Sequence, residues 1–160
     1  KTGAWLVGVP GGVDCGWKDG ARCVGRTASS ELAGNRAIFA ATAGQTILHG
    51  HPRFSGILSL LCDEECKTAD CWRDCARVRE LNGIPLVAGE VGAGGLAHNL
   101  PPVIGRCQLA LVYGHGLFAT GLNDFTQPLS AMLHFENWCR GHYLQRFNDR
   151  LTSTSGQHAH

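Results

Sequence analysis

Strand-like apolar runs and helix-like apolar stripes succeed one another along the chain. Residues 4–9, Ala-Trp-Leu-Val-Gly-Val, predict a short strand that Pro10-Gly11-Gly12 ends in a turn, with a loop from there to Thr27. Ser29 or Ser30 then offers an N-cap and Glu31 falls in a first helical turn. Leu32, Ala33, Ala37, Ile38, Ala40 and Ala41 supply the apolar face of a helix that Gly44 closes. Residues 46–49 read as a strand ending in Gly50-His51-Pro52, and 53–61 as a helix leading into a polar, cysteine-rich stretch.

Further on, residues 84–88 form a short strand before a glycine-rich loop over 89–95. The near-continuous apolar run 107–113, bounded by Gly114 and Gly116, predicts a strand buried on both faces and therefore central in its sheet. Leu129, Met132, Leu133, Trp138, Tyr143 and Leu144 mark a long helix over 128–147, with Asp124 or Thr126 as its cap, and 152–160 read as a polar tail. Strands alternating with helices imply a layered α/β domain.

At 160 residues the chain has room for one core. Fourteen Lys and Arg stand against 13 Asp and Glu, a net charge of +1 without a basic block, so bulk electrostatics does not favour nucleic acid. Runs such as 57–61 and 109–113 fall far short of the ~20 apolar residues of a membrane span, and the chain is read as soluble and cytoplasmic. It starts at Lys1 without a basic region followed by an apolar one, so its true start is left open. The 22 glycines imply many tight turns and close approaches.

Four of the eight cysteines, Cys62, Cys66, Cys71 and Cys75, lie in one 14-residue stretch interleaved with acidic side chains. They are read as a surface insertion over 62–75 whose thiols hold a structural metal, stay reduced, or pair as disulfides. Cys15, Cys23, Cys107 and Cys139 are scattered and read as small packed residues. Gly92-Ala93-Gly94-Gly95 lacks the Lys-Ser/Thr of a phosphate loop and reads as a tight turn. His98, His134 and His142 have no partner at ligand spacing, and His158 and His160 lie in the tail.

The candidate chemistry sits elsewhere. His49 and His51, at i and i+2 of an extended segment, leave the same face of the chain and can grip one ion. His115, between glycines at the end of another strand, supplies a third imidazole, and three such ligands with a fourth position open are the donor set of a catalytic zinc. A helix beginning near Glu31 and a returning strand cover similar distances, ~20 Å each, which brings the histidines back to the helix start. There Glu31 is either a proton carrier or only a counterweight to the helix dipole, and Ser29 and Ser30 are either ligand donors or only caps.

Ser29-Ser30-Glu31, His49-Gly50-His51-Pro52 and His115-Gly116-Leu117, in this order and mostly at the right spacing over residues 4–147, resemble the class II aldolase/adducin family. The resemblance implies a three-layer α/β/α sandwich with a mixed, largely antiparallel central sheet, formed as a single domain over residues 1–160. It implies one zinc ion, or another divalent metal, on His49, His51 and His115, with Glu31 as acid/base. Ser29, Ser30 and Gly12 hold a substrate phosphate in that pattern. Departures are the family's further N-terminal helix and Gly-Asn loop, which leave the chain expected to be a fragment without that N-terminal segment. Gly11 stands where a hydroxyl residue is common, and the 62–75 stretch has no counterpart in the family's sugar-phosphate enzymes.

The function so implied is that of a zinc-dependent lyase on a small, hydroxycarbonyl, sugar-phosphate-like substrate, working through an enediolate in a homotetramer. Aldolase, epimerase, dehydratase and decarboxylase chemistry all share that intermediate. The alternatives are a noncatalytic adducin-like interaction module and a metal- or redox-sensing protein centred on the cysteines.

Overall fold

The structure, a computed structural model, describes residues 4–8, 15–19, 22–24, 31–61, 79–88 and 93–155. Three short strands near the start, β1 (Ala4–Gly8), β2 (Cys15–Asp19) and β3 (Arg22–Val24), pair antiparallel in the order β1-β2-β3. Two of these strands occupy the stretch expected to be a loop up to Thr27. Cross-strand pairing supplies what the short, mixed-polarity segments do not signal by period. Gly12, Ser29, Ser30 and the cysteine stretch from Cys62 to Cys75 lie outside the described residues.

The main sheet has the order β4-β8-β7-β6-β5, from β4 (Thr46–Gly50), β5 (Arg79–Leu81), β6 (Ile84–Val87), β7 (Leu109–Val112) and β8 (Gly116–Gly121). Only β6 and β7 run parallel, so the sheet is mixed and largely antiparallel, and β7 is its middle strand, as its apolar run predicts. Leu109 and Leu111 point to one face and Ala110 and Val112 to the other, all fully or nearly fully buried. On the first face α2 (Arg53–Leu60) and α5 (Thr126–Ser155) bring Leu58, Met132, Phe135 and Cys139 against Leu86, Leu117 and Ala119. On the second face α1 (Leu32–Ala41), α3 (Ala93–Asn99) and α4 (Pro101–Cys107) bring Ile38, Leu96 and Ile104 against Val87 and Phe118. The result is three layers, α/β/α, each sheet face closed by one apolar cluster.

Several expectations need correction. α1 ends at Ala41, with Thr42 extended at the C-cap, so Gly44 is not its cap. The glycine-rich loop stops short because α3 begins at Ala93. Glycine is a poor helix former, and here packing wins: a Cβ on Gly34 of α1 would stand 3.3 Å from the Leu96 Cβ, so α1 and α3 cross closely. α4, with Pro101 and Pro102 opening it, and the strand β8 add to the expected elements. So does β5, which turns into β6 through Asn82-Gly83, both at positive φ (51° and 74°), the dipeptide that favours a two-residue hairpin. α5 starts at Thr126, two residues before the expected Pro128, and Asp124, an expected cap, accepts the Thr126 N–H through Oδ1 at 2.9 Å. The helix runs on to Ser155, so residues 152–155 of the stretch read as a tail are helical. Cys139 is packed as expected, but Cys107 is exposed at the end of α4. No helix among the described residues is long and apolar enough to cross a membrane.

Candidate metal centre

The second face of the sheet ends in the candidate site. β4 and β8 pair so that His49 stands directly opposite Phe118. His51 follows one residue past the strand end, on the same side by alternation. β7 and β8 are joined by a tight turn containing Gly114, at φ +61°, and His115, whose N–H donates to Val112 O at 3.0 Å. Three imidazoles from two neighbouring strand ends thus converge.

Their ring nitrogens lie within 4.8 Å of one another, and together they could hold a metal ion. His49 Nε2 is 3.3 Å from His115 Nε2 and 2.9 Å from His51 Nε2. A tetrahedral zinc bonded at 2.0–2.1 Å spaces its ligand nitrogens about 3.4 Å apart, so the first of these separations is already that of a ligand pair. His49 Nδ1 lies 2.9 Å from Leu117 O and must be the protonated nitrogen, since a carbonyl only accepts. That leaves Nε2 with its lone pair toward the other rings. Burial pushes the His49 pKa from 6.5 down to about 4, against the opposing pull of the Leu117 hydrogen bond and with added push from His51 and His115. Burial lowers His115 also, while the Glu31 carboxylate pulls it back up. Neutral imidazole is the form that binds a cation, so donor chemistry and protonation state both fit.

The centre has one wall of aromatic carbon and one of carboxylate. The His49 ring lies on Phe118, centroids 3.9 Å apart and 16° from parallel, and Phe118 is fully buried. Glu31 occupies the N-cap position of α1, yet its side chain makes no cap hydrogen bond; its Oε1 stands 3.8 Å from His115 Nε2. The turn from helix to returning strand therefore closes as the residue distances require, although Glu31 precedes the helix instead of lying in its first turn.

His49, His51, His115 and Glu31, all singled out from the sequence, are brought together. His98 and His134 are exposed on α3 and α5, and His142 stacks on Trp138 at 5.0 Å. Phe118, the Leu117 carbonyl and the close packing of Gly116 are the parts of the site that sequence reasoning misses. Gly116 is set against β4 so closely that a Cβ there would run into Gly50 O and stand 2.6 Å from His51 Cδ2. Its place immediately after His115 is the available signal. A cavity of about 570 Å³ at the start of α5, lined by Asn123, Asp124, Thr126, Gln127, Ser130 and Ala131, includes none of these four side chains.

No curated protein matches the chain. Among solved structures it resembles L-fuculose-1-phosphate aldolase from Thermus thermophilus, with a TM-score of 0.60 and 21% identity over 79% of this chain. It spans 66% of the length of that protein. The fold is therefore shared. The family described as "Class II Aldolase and Adducin N-terminal domain" matches residues 12–143, which takes in Glu31 and every histidine of the centre: the chain belongs to the class II aldolase and adducin family.

Proposed function

We propose that the chain is a class II aldolase-type lyase that uses zinc at His49, His51 and His115 to act on a small hydroxycarbonyl compound of the sugar-phosphate class. The observation that carries the reading is the convergence of three imidazoles with one carboxylate, Glu31, 3.8 Å from His115 Nε2. The name of the fuculose-phosphate aldolase it resembles supports the substrate class.

The ion, when bound, supplies positive charge that polarises a carbonyl and stabilises an enediolate. The chain's own groups do the rest. His49 is held neutral by burial and oriented by Leu117 O, His115 stands beside Glu31, and Phe118 keeps water from the rear of the His49 ring. In aldol cleavage the carbon that becomes an aldehyde gives up its hydroxyl proton to Glu31, and the electron pair of the broken C–C bond passes into the enediolate. Glu31 returns a proton to the enediolate carbon. Ser29, Ser30 and Gly12 are proposed to hold the phosphate, and a homotetramer is the proposed assembly. Epimerisation, dehydration or decarboxylation needs the same charge stabilisation and proton carrier.

Elemental analysis of protein purified with zinc and without chelator tests the reading, with a screen of sugar phosphates beside it. Near one zinc per chain is expected, abolished in His51→Ala, with cleavage of at least one hydroxycarbonyl phosphate. Wild-type protein with no metal at these nitrogens overturns the reading and leaves the adducin-like, noncatalytic alternative. Zinc lost only on mutation of Cys62, Cys66, Cys71 and Cys75 points instead to a sensor.

A further inference from the structure

Both strand ends that carry the histidines are tied to one short helix. At the N-terminus of α2 the backbone N–H groups of Phe54 and Ser55 donate to the two oxygens of Glu136, on α5, at 2.7 and 2.9 Å. Helix-start N–H groups have no partner within their helix, and Pro52 at the N-cap offers no side-chain acceptor, so a carboxylate from another helix performs the capping. Its charge faces the positive end of the helix dipole, which strengthens both bonds. His51 is joined directly to Pro52, whose ring fixes φ near −66°. Position therefore passes from Glu136 to the α2 start and on to His51 with few soft torsions between.

The last turn of α2 reaches the other ligand. Ser59 is fully buried; its hydroxyl donates to Gly56 O at 2.6 Å and accepts the Gly114 N–H at 2.8 Å. Gly114 precedes His115 in the tight turn, and this hydrogen bond holds the turn against the helix. Leu58, between the two anchors, packs into the core cluster shared with Leu117 and Phe135 and keeps α2 seated. One rigid element thus touches the chain just after His51 and the residue before His115.

We infer that α2 is a positioning strut for the metal ligands, with Glu136 and Ser59 as its two anchors setting where His51 and His115 stand. The inference rests on the zinc reading of the three histidines and adds two residues with no contact to the ion. Outer partners of metal ligands typically govern 10- to 100-fold in metal affinity, because a displaced imidazole must be dragged back on binding.

The test is the zinc dissociation constant, measured by competition with a chromophoric chelator, alongside far-UV circular dichroism and thermal melting. Glu136→Gln turns one acceptor into a donor facing a backbone N–H, and Ser59→Ala leaves the Gly114 N–H without its acceptor. Each is expected to weaken zinc ~10-fold or more while the chain stays folded. Leu109→Ala, in the core at the other end of β7 from His115, is expected to lower the melting temperature and keep the wild-type zinc affinity. Folded anchor variants that bind zinc as tightly as wild type, or a Leu109→Ala protein weakened equally, overturn the strut. If Glu136→Gln does not fold, Ser59→Ala decides, and the cobalt-substituted absorption spectrum reports whether the ligand field has changed. A wild type that takes no zinc overturns the metal reading itself, and the strut with it.

Discussion

The ring of His49 lies flat on Phe118, its direct cross-strand neighbour, at a centroid distance of 3.9 Å. That contact takes the imidazole out of water and makes its charged form costly, and its pKa falls from 6.5 to about 4. Between those two values the unfolded chain binds a proton at this site and the folded chain does not, so stability rises with pH through the window and is fully present above 6.5. For metal-free protein the loss on acidifying from about pH 6.5 to about pH 4 is expected to be on the order of 3 kcal/mol from this group. Urea midpoints measured across the range check it. A flat profile, or Phe118→Leu leaving the slope unchanged, contradicts the assignment of the shift to burial.

Gly116 is the place where a single methyl group should disturb the centre most. A Cβ there would meet Gly50 O and the His51 ring. Gly116→Ala is therefore expected to part β4 from β8 at their ends, costing about 1–3 kcal/mol in stability as overpacking does. Zinc affinity should fall alongside, because His51 has to move. An alanine variant with wild-type melting and zinc uptake would show that the strand ends separate freely.

Glu31→Gln keeps the shape of the side chain and removes its basicity. Turnover of a cleavable substrate is expected to fall by ~100-fold or more, the usual size of a lost acid–base group, with zinc content unchanged. Parallel loss of metal would mean that the carboxylate serves the ion; an unaffected rate would remove it from the chemistry altogether.

The cysteine stretch should separate from the histidine centre. Its four thiols are proposed to form a closed, structural element, and a site with all four positions filled by protein leaves none for substrate. The double substitution Cys66→Ser and Cys71→Ser is expected to lower stability or increase proteolysis of that segment and to leave zinc on His49, His51 and His115. Loss of the histidine-bound zinc in a folded double variant would join the two sites.

What is legible in the sequence follows from period and from residue chemistry. The run 107–113 announces a middle strand because both faces are apolar, and the His-x-His pair announces a shared side because strands alternate. Packing of glycines against neighbours is invisible to such arguments, which is why α3, held by its crossing with Gly34, reads as a loop. The Asn82-Gly83 hairpin carries its signal in the dipeptide alone, since the three-residue strand before it is too short to show a period. Phe118 can be paired with His49 only once the register of two distant strands is known, and no local pattern carries that.

That separation has a kinetic side. β7 and β8 form a hairpin closed by a short turn, so His115 is presented early and locally. β4 joins the sheet only across the pairing with β8, and His49 meets His115 from 66 positions away in sequence. Closing so long a loop is entropically uphill until the whole register is won, and non-local pairing of this kind is slow relative to hairpin formation. The cluster of three imidazoles is thus expected among the last contacts the chain completes, and a cation captured there would mark the arrival of the edge strand and, with it, the end of folding.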